Sequence, residues 1–269
     1  MELLKELKNM SSFTNIKLLV SDLDGTLLHD DKSLDSQIIE QLQQKNVLFT
    51  LASGRNYFVT KDFVKKLNIK IPYIVNNGAN IYLENECIYT CEIDENDLKI
   101  YLECFEKYQI PFLAHSINEA YFYLNDTRID TLKNRLIGKC PIVEVKECNE
   151  LLDKKILKIV MFDSDMEVLS KQISDETKNT KCMRTENNMY TVNNVNVDKG
   201  EALVYLLKYL QIPSSDVLVF GDNFNDEPMF DVCAGVAVEN AQDSLKLKAK
   251  YLTESNENDG VSAFIDKYL

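Results

Sequence analysis

Ile16-Lys17-Leu18-Leu19-Val20-Ser21-Asp22-Leu23-Asp24-Gly25-Thr26 runs from a short apolar segment into an acidic turn. The apolar half suits a buried strand, and Gly25 permits a sharp turn after it. Working outward, Ser36–Lys45 sets Ile38, Ile39 and Leu42 on one helical face. Val47–Leu51 is a second strand, Tyr57–Leu67 a helix, and Pro72 opens a third strand, Tyr73-Ile74-Val75. This β-α-β-α-β alternation predicts an α/β fold, a Rossmann-like doubly wound parallel sheet.

The rhythm then changes. Ile81-Tyr82-Leu83 and Cys87-Ile88-Tyr89 read as a hairpin around Glu84-Asn85-Glu86. Helices are expected over Asp97–Tyr108, Thr127–Ile137 and Met166–Thr177. Strands are expected over Tyr121–Leu124, Leu157–Phe162, Lys181–Thr185 and Met189–Asn193. This mixture points to an α+β unit inserted in the first. The alternation resumes with a helix over Gly200–Leu210, a strand over Val217–Phe220 and a short helix over Asp226–Cys233. A strand at Val236-Ala237-Val238 and helices over Ser244–Ala249 and Val261–Tyr268 close the chain. The expected division is a discontinuous core of residues 1–81 and 186–269 around an insert of residues 82–185. Met1–Met10 carries Glu2, Lys5, Glu6 and Lys8 and reads as a helical lead-in rather than a signal peptide.

Composition narrows the function. The chain has 269 residues, 45% hydrophobic, with no apolar run approaching the roughly 18–20 residues that cross a bilayer, so no membrane partner is expected. A formal net charge of -13 disfavours nucleic acid. It also means that an anionic ligand needs a local positive site, for which a metal ion is a natural candidate. Seven cysteines without a Cys-x-x-Cys pair read as reduced thiols in a cytoplasmic protein. Two histidines, His29 and His115, are too few for a Cys/His zinc site and weaken any Ser-His-Asp triad.

Three polar clusters fall at the ends of expected core strands, where open parallel sheets bind ligands. They are Asp22 to Thr26, then Ala52-Ser53-Gly54-Arg55, then Gly221-Asp222-Asn223-Phe224-Asn225-Asp226. Lys199-Gly200 opens the helix before the last of these strands. Asp22, Asp24 and Asp222 offer the hard oxygens that magnesium prefers. Strand alternation lets Asp22 and Asp24 face one site. The Ser53 hydroxyl and Gly54 amide can donate to phosphate, and Lys199 adds positive charge at a helix N-terminus. Such a set supports attack on phosphorus by a carboxylate.

Asp22-Leu23-Asp24-Gly25-Thr26, Ser53-Gly54-Arg55, Lys199-Gly200 and Gly221-Asp222-x-x-Asn225-Asp226 resemble the four ordered motifs of the haloacid dehalogenase (HAD) superfamily. Asn76-Asn77-Gly78-Ala79 and Asp259-Gly260-Val261 resemble its Cof-type, class IIB, subfamily. The resemblance implies a HAD catalytic core with a type C2 cap. It implies a Mg2+-dependent phosphatase of a small phosphorylated metabolite, a sugar phosphate or phosphorylated cofactor, working through an aspartyl-phosphate. Asp22 would be nucleophile and metal ligand. Asp24 would ligate through its carbonyl, with its carboxyl as acid and base. Ser53 and Lys199 would bind phosphate, and Asp222 would complete the carboxylate ligands. Asn225, Asp226 and Asn77 would support metal or substrate. Ser53 stands where relatives often carry threonine, and the hydroxyl remains. A monomer or weak oligomer is expected.

Each piece has a plainer reading. Asp-x-Asp-Gly-Thr alone is a polar turn, Asp226 alone a helix N-cap, and Asn77-Gly78 alone a turn. Arg55 can pair with a structural acid. Tyr121 and Tyr123 read as packing one face of the insert, and His115 as a packed or surface side chain. The rival functions are a phosphomutase or phosphotransferase of the phosphomannomutase type, a signalling receiver, and a non-catalytic binder. The insertion after Ala79 argues against a receiver. Retention of Asp22, Asp24, Lys199 and Asp222 argues against a binder.

Overall fold

The computed structural model describes residues 13, 15–162, 177–186 and 189–269. The expected lead-in at Met1–Met10 and all but the last residue of the expected helix Met166–Thr177 lie outside them. The chain divides into two compact units. One comprises residues up to Gly54, Phe63–Gly78 and Asp198–Leu269; the other comprises Arg55–Asp62 and Ala79–Val197.

The chain opens with β1 (Leu18–Ser21), α1 (Ile38–Gln44), β2 (Leu48–Leu51), α2 (Tyr57–Lys66) and β3 (Tyr73–Val75). The insert follows with β4 (Asn80–Leu83), β5 (Glu86–Thr90), α3 (Glu95–Tyr108), β6 (Phe112–His115), β7 (Ala120–Tyr123), α4 (Thr127–Asn134), β8 (Ile142–Val145), β9 (Lys158–Phe162), β10 (Thr180–Glu186) and β11 (Met189–Asn194). The chain closes with α5 (Lys199–Leu210), β12 (Val217–Gly221), α6 (Glu227–Val232), β13 (Ala234–Ala237), α7 (Asp243–Lys248), β14 (Tyr251–Leu252) and α8 (Gly260–Tyr268).

In the first unit the sheet runs β14-β13-β12-β1-β2, every pair parallel. Leu18 pairs with Val217 on one side and Leu48 on the other, so β1 is central. All four β1 residues are fully buried, as an apolar run covered on both faces requires. A single parallel bridge, Ala52 to Ile74, brings β3 beside the end of β2. This is the doubly wound α/β core expected from the sequence. The chain passes from β1 to β2 on one side, and β12 lies on the other. The crevice at the carboxyl end of β1 is therefore a topological switch point.

The second unit carries a sheet ordered β10-β11-β9-β6-β7-β8, antiparallel except for β7 with β8. Helix α3 starts where the Asp94 carboxylate accepts from the N–H groups of Asn96 and Asp97. Tyr121 and Tyr123 lie in a buried cluster with Tyr101, Phe105, Phe112 and Ile159, on one face of the sheet. Strands β6 and β8 were not expected. Pro111 stands just before β6 and masks its short apolar run, while Glu144 interrupts the apolar run of β8, a strand at the edge of its sheet. The helix expected to reach Ile137 ends at Asn134, ahead of Gly138 with its φ of 75°.

Candidate active site

The site grows from the carboxyl ends of β1 and β12 and the start of α5, all within the first unit. Asp22 is the residue after β1 and is 5% exposed. Its backbone N–H donates to the carbonyl of Phe220, which continues the ladder one step past the strand. Lys199 opens α5, where the Asp198 carboxylate caps the helix by accepting from the Glu201 N–H. The Lys199 ammonium is wholly buried and donates to Asp22 Oδ1 and Asp226 Oδ1, each at 2.6 Å. Apolar surroundings enforce this pairing, since a buried unpaired ammonium is strongly disfavoured.

Asp226 occupies the N-cap position of α6, but its side chain makes no capping hydrogen bond to that helix. Its Oδ2 instead accepts from the backbone N–H groups of Asp222 (3.0 Å) and Asn223 (3.1 Å). One carboxylate thereby fixes both the lysine and the loop that carries Asp222. Asp222 Oδ1 accepts from the Thr26 hydroxyl at 2.8 Å, tying the third cluster to the first. Gly25 sits beneath that carboxylate with φ +80°, and a Cβ there would meet Asp222 Oδ2 at 2.5 Å. Only glycine accommodates both the backbone and the approach.

Asp22, Asp222 and Asp226 each present an oxygen within 4.8 Å of the others. Burial pushes the Asp22 carboxyl up to about 8, with Lys199 pulling against it and Asp226 and Asp222 adding to the rise. Burial, and then Asp226, push Asp222 up to about 6, while Thr26 and Lys199 lower it. Burial opposes the charge on Lys199, yet Asp22 and Asp226 more than restore it and its pKa is raised. Three carboxylates thus crowd one ammonium, which bonds Asp22 and Asp226. Oxygen donors with uncompensated negative charge fit a hard divalent cation. Both oxygens of Asp226 are engaged by N–H donors, so Asp22 and Asp222 are the carboxylates that such an ion would meet first.

Asp24 is more exposed, and its Oδ1 forms an ion pair with Lys32 Nζ at 2.9 Å. Ser53 is 1% exposed, follows the end of β2, and its carbonyl accepts from the Asn77 N–H at 3.0 Å. The Asn77 amide lies beside Gly54, and its Oδ1 accepts from Asn225 Nδ2 at 3.0 Å. Asn76, Asn77 and Gly78 all have positive φ (52°, 56° and 100°), a tight turn of the kind that asparagine and glycine tolerate. The structure thus joins Asp22, Lys199, Asp222 and Asp226 in one cluster, and Ser53, Gly54, Asn77 and Asn225 in a second. Arg55 falls in the other unit.

Several supporting contacts escaped the sequence reading. Asn240 Nδ2 donates to the Gly25 carbonyl at 2.7 Å, and Asn256 Nδ2 to the Leu28 carbonyl at 3.0 Å. His29 Nε2 and Asp259 Oδ1 are 2.6 Å apart. The tail signature Asp259-Gly260-Val261 therefore braces the loop after β1. Nothing local in sequence marks these contacts, because they join residues more than 200 positions apart.

A family model described as haloacid dehalogenase-like hydrolase matches residues 19–265. The chain is 25% identical to the 5-amino-6-(5-phospho-D-ribitylamino)uracil phosphatase YcsE of Bacillus subtilis, covering 95% of this chain and 96% of that one. It is 27% identical to a second B. subtilis protein of the same activity name, YwtE, over 94% and 98% of the two chains. A crystal structure from Thermotoga maritima superposes with a TM-score of 0.83 at 26% identity, covering 94% of this chain and 97% of that one. A match along nearly the whole chain, together with the buried lysine and carboxylates at the sheet's switch point, identifies the protein as a member of the haloacid dehalogenase-like hydrolases.

Proposed function

We propose that the chain is a magnesium-dependent phosphatase that hydrolyses a small phosphomonoester through an aspartyl-phosphate on Asp22. The observation that carries this reading is the buried Lys199 ammonium shared between Asp22 and Asp226. It holds one Asp22 oxygen in place and leaves Oδ2 without a hydrogen bond among the described residues. That oxygen attacks phosphorus, the bond to the leaving oxygen breaks, and Asp24 donates the proton that the leaving oxygen needs. Asp24 then accepts a proton from the water that cleaves the aspartyl-phosphate. Ser53, the Gly54 amide and Lys199 bind the phosphoryl oxygens. Asp22, Asp222 and the Asp24 carbonyl would hold magnesium, which supplies neutralising charge for the transferring group. Asn225, Asp226 and Asn77 support this arrangement from behind.

In this reading the unit with residues up to Gly54, Phe63–Gly78 and Asp198–Leu269 acts as the catalytic core, and the unit carrying Ala79–Val197 acts as the cap. Sugar phosphates and phosphorylated cofactors are the proposed substrates, in keeping with relatives named for a phosphorylated ribitylaminouracil. Seven free thiols support cytoplasmic residence.

The deciding experiment is a magnesium-supplemented screen of the purified protein against hexose phosphates, pentose phosphates and 5-amino-6-(5-phospho-D-ribitylamino)uracil, run beside Asp22→Asn. Phosphate release by the wild type, and none above background by the variant, is expected. Near-normal release by Asp22→Asn refutes the mechanism, and isomerised sugar phosphate without net release assigns a mutase instead.

A further inference from the structure

A short hairpin over residues 28–34 stands beside Asp24. Leu28 forms a parallel bridge with Asp24 and an antiparallel one with Leu34. At the tip, the Lys32 N–H donates to the His29 carbonyl at 2.9 Å, and the His29 N–H to the Ser33 carbonyl at 3.1 Å. The tail of the chain clamps this hairpin. Asn256 Nδ2 donates to the Leu28 carbonyl (3.0 Å) and to Asp30 Oδ1 (3.2 Å), and the Asp30 N–H donates to Glu257 Oε1 at 2.6 Å. His29 Nε2 meets Asp259 Oδ1 at 2.6 Å, and Leu28 is fully buried. From this braced support Lys32 Nζ reaches Asp24 Oδ1 at 2.9 Å.

Stability does not account for a lysine at this position. Lys32 has a φ of 68°, the left-handed backbone that penalises a residue with a Cβ and that asparagine or glycine tolerates. The Lys32 and Asp24 side chains are 52% and 38% exposed, and ion pairs this open to solvent contribute little. Asparagine would suit the turn better. Unfavourable backbone held by the surrounding fold, with its side chain on an active-site carboxyl, is the mark of a functional constraint.

We propose that Lys32 is a positioning residue for Asp24, acting on departure of the leaving group. The inference rests on the proposed mechanism, in which Asp24 is the proton donor. Contact at Oδ1 fixes the orientation of the carboxyl group relative to the leaving oxygen. As the proton passes, the O–H bond of Asp24 breaks and one to the leaving oxygen forms. The carboxylate left behind faces an ammonium already in place, so its charge needs no reorganisation at the moment of reaction. The gain is confined to leaving groups that need a proton.

Two aryl phosphates of similar size separate this role from others. Nitrophenolate departs from p-nitrophenyl phosphate without a proton, whereas departure of phenol from phenyl phosphate gains from one. The full-length protein is assayed on both with magnesium, and kcat/KM is compared. Lys32→Asn removes the ammonium and suits the turn. It is expected to lower kcat/KM roughly tenfold or more on phenyl phosphate, and less than about threefold on p-nitrophenyl phosphate. Its thermal midpoint should match or exceed that of the wild type. Lys32→Arg, which keeps the charge, should restore phenyl phosphate hydrolysis to within about threefold of the wild type. Equal losses on the two substrates overturn the proposal, since a structural or phosphate-binding role affects both alike. So does no loss on either, or a loss with arginine as large as that with asparagine. A wild type that hydrolyses neither probe, or an Asp24→Asn variant with full activity on phenyl phosphate, removes the underlying mechanism and this inference with it. Loss in Asp24→Asn without selective loss in Lys32→Asn overturns the role of Lys32 alone.

Discussion

Lys199 and Asp226 meet at 2.6 Å with neither side chain exposed to solvent. Asp226 holds the lysine with one oxygen and the Asp222 loop with the other. Removing one partner of a buried ion pair typically costs about 3–5 kcal/mol, because the other charge is left uncompensated. Asp226→Ala is therefore expected to lose about that much stability in denaturant titration, along with most phosphatase turnover. Asp226→Asn keeps one acceptor and should fall between Asp226→Ala and the wild type. Wild-type stability in Asp226→Ala would show that the pair is not what anchors Lys199.

Gly25 offers a test of geometry. Alanine there must adopt φ +80° and bring a Cβ to 2.5 Å from Asp222 Oδ2. Left-handed backbone costs an L residue roughly 1–2 kcal/mol, and Asp222 must also turn away from Thr26. A modest fall in thermal midpoint with at least a hundredfold loss of kcat/KM is expected for Gly25→Ala. Unchanged kcat/KM would mean that the position of Asp222 does not matter to the chemistry.

Under the proposed mechanism, protons and magnesium would compete for Asp22 and Asp222. Asp22 and Asp222 titrate near 8 and 6 in the folded chain, above the ordinary 3.9 of an unfolded aspartate. A raised folded pKa means that the native state binds these protons more tightly. Stability then falls as pH rises from about 4 through 8. Magnesium should reverse that loss, so its effect on the thermal midpoint is expected to be larger at pH 8.5 than at pH 5.5. Equal or absent effects at both values would remove the carboxylates from the metal site.

His29 and Asp259 give a second pH signature with a separate cause. Its hydrogen bond to Asp259 raises the His29 pKa above 6.5, against a smaller opposing effect of burial. The stabilisation is fully present below pH 6.5 and is lost as pH rises through the folded value. Pairs this accessible contribute about 0–1 kcal/mol. The gap in thermal midpoint between wild type and His29→Gln should therefore be small at pH 6 and vanish by pH 9. A gap that widens with pH would contradict the assigned ion pair.

Much of this arrangement is legible in the sequence because it is local. The apolar run before Asp22 and the Gly25 turn together mark a strand end, and the helices and strands around them follow from periodicity. What was not legible depends on distant partners. Asp226 reads equally well as a helix cap or a metal accessory, and only the fold shows it gripping Lys199 and two backbone N–H groups. The Asp24–Lys32 ion pair comes with a positive φ of 68° at Lys32, which no residue type there announces. Strands β6 and β8 escaped because Pro111 stands directly before the one and Glu144 breaks the apolar run of the other.

At Gly78 the backbone comes so close to the Asp198 carbonyl that a Cβ on the glycine would lie 2.1 Å from its oxygen. Gly78 is where the chain leaves the first unit, and Asp198 is where it returns. For the core, the whole intervening stretch is one loop whose two ends already touch. Closing such a loop costs entropy that grows only with the logarithm of its length. The first unit can therefore exchange one insert for a longer, shorter or unrelated one at little thermodynamic cost. New inserts can be tried on this scaffold without rebuilding the lysine and carboxylates at its centre.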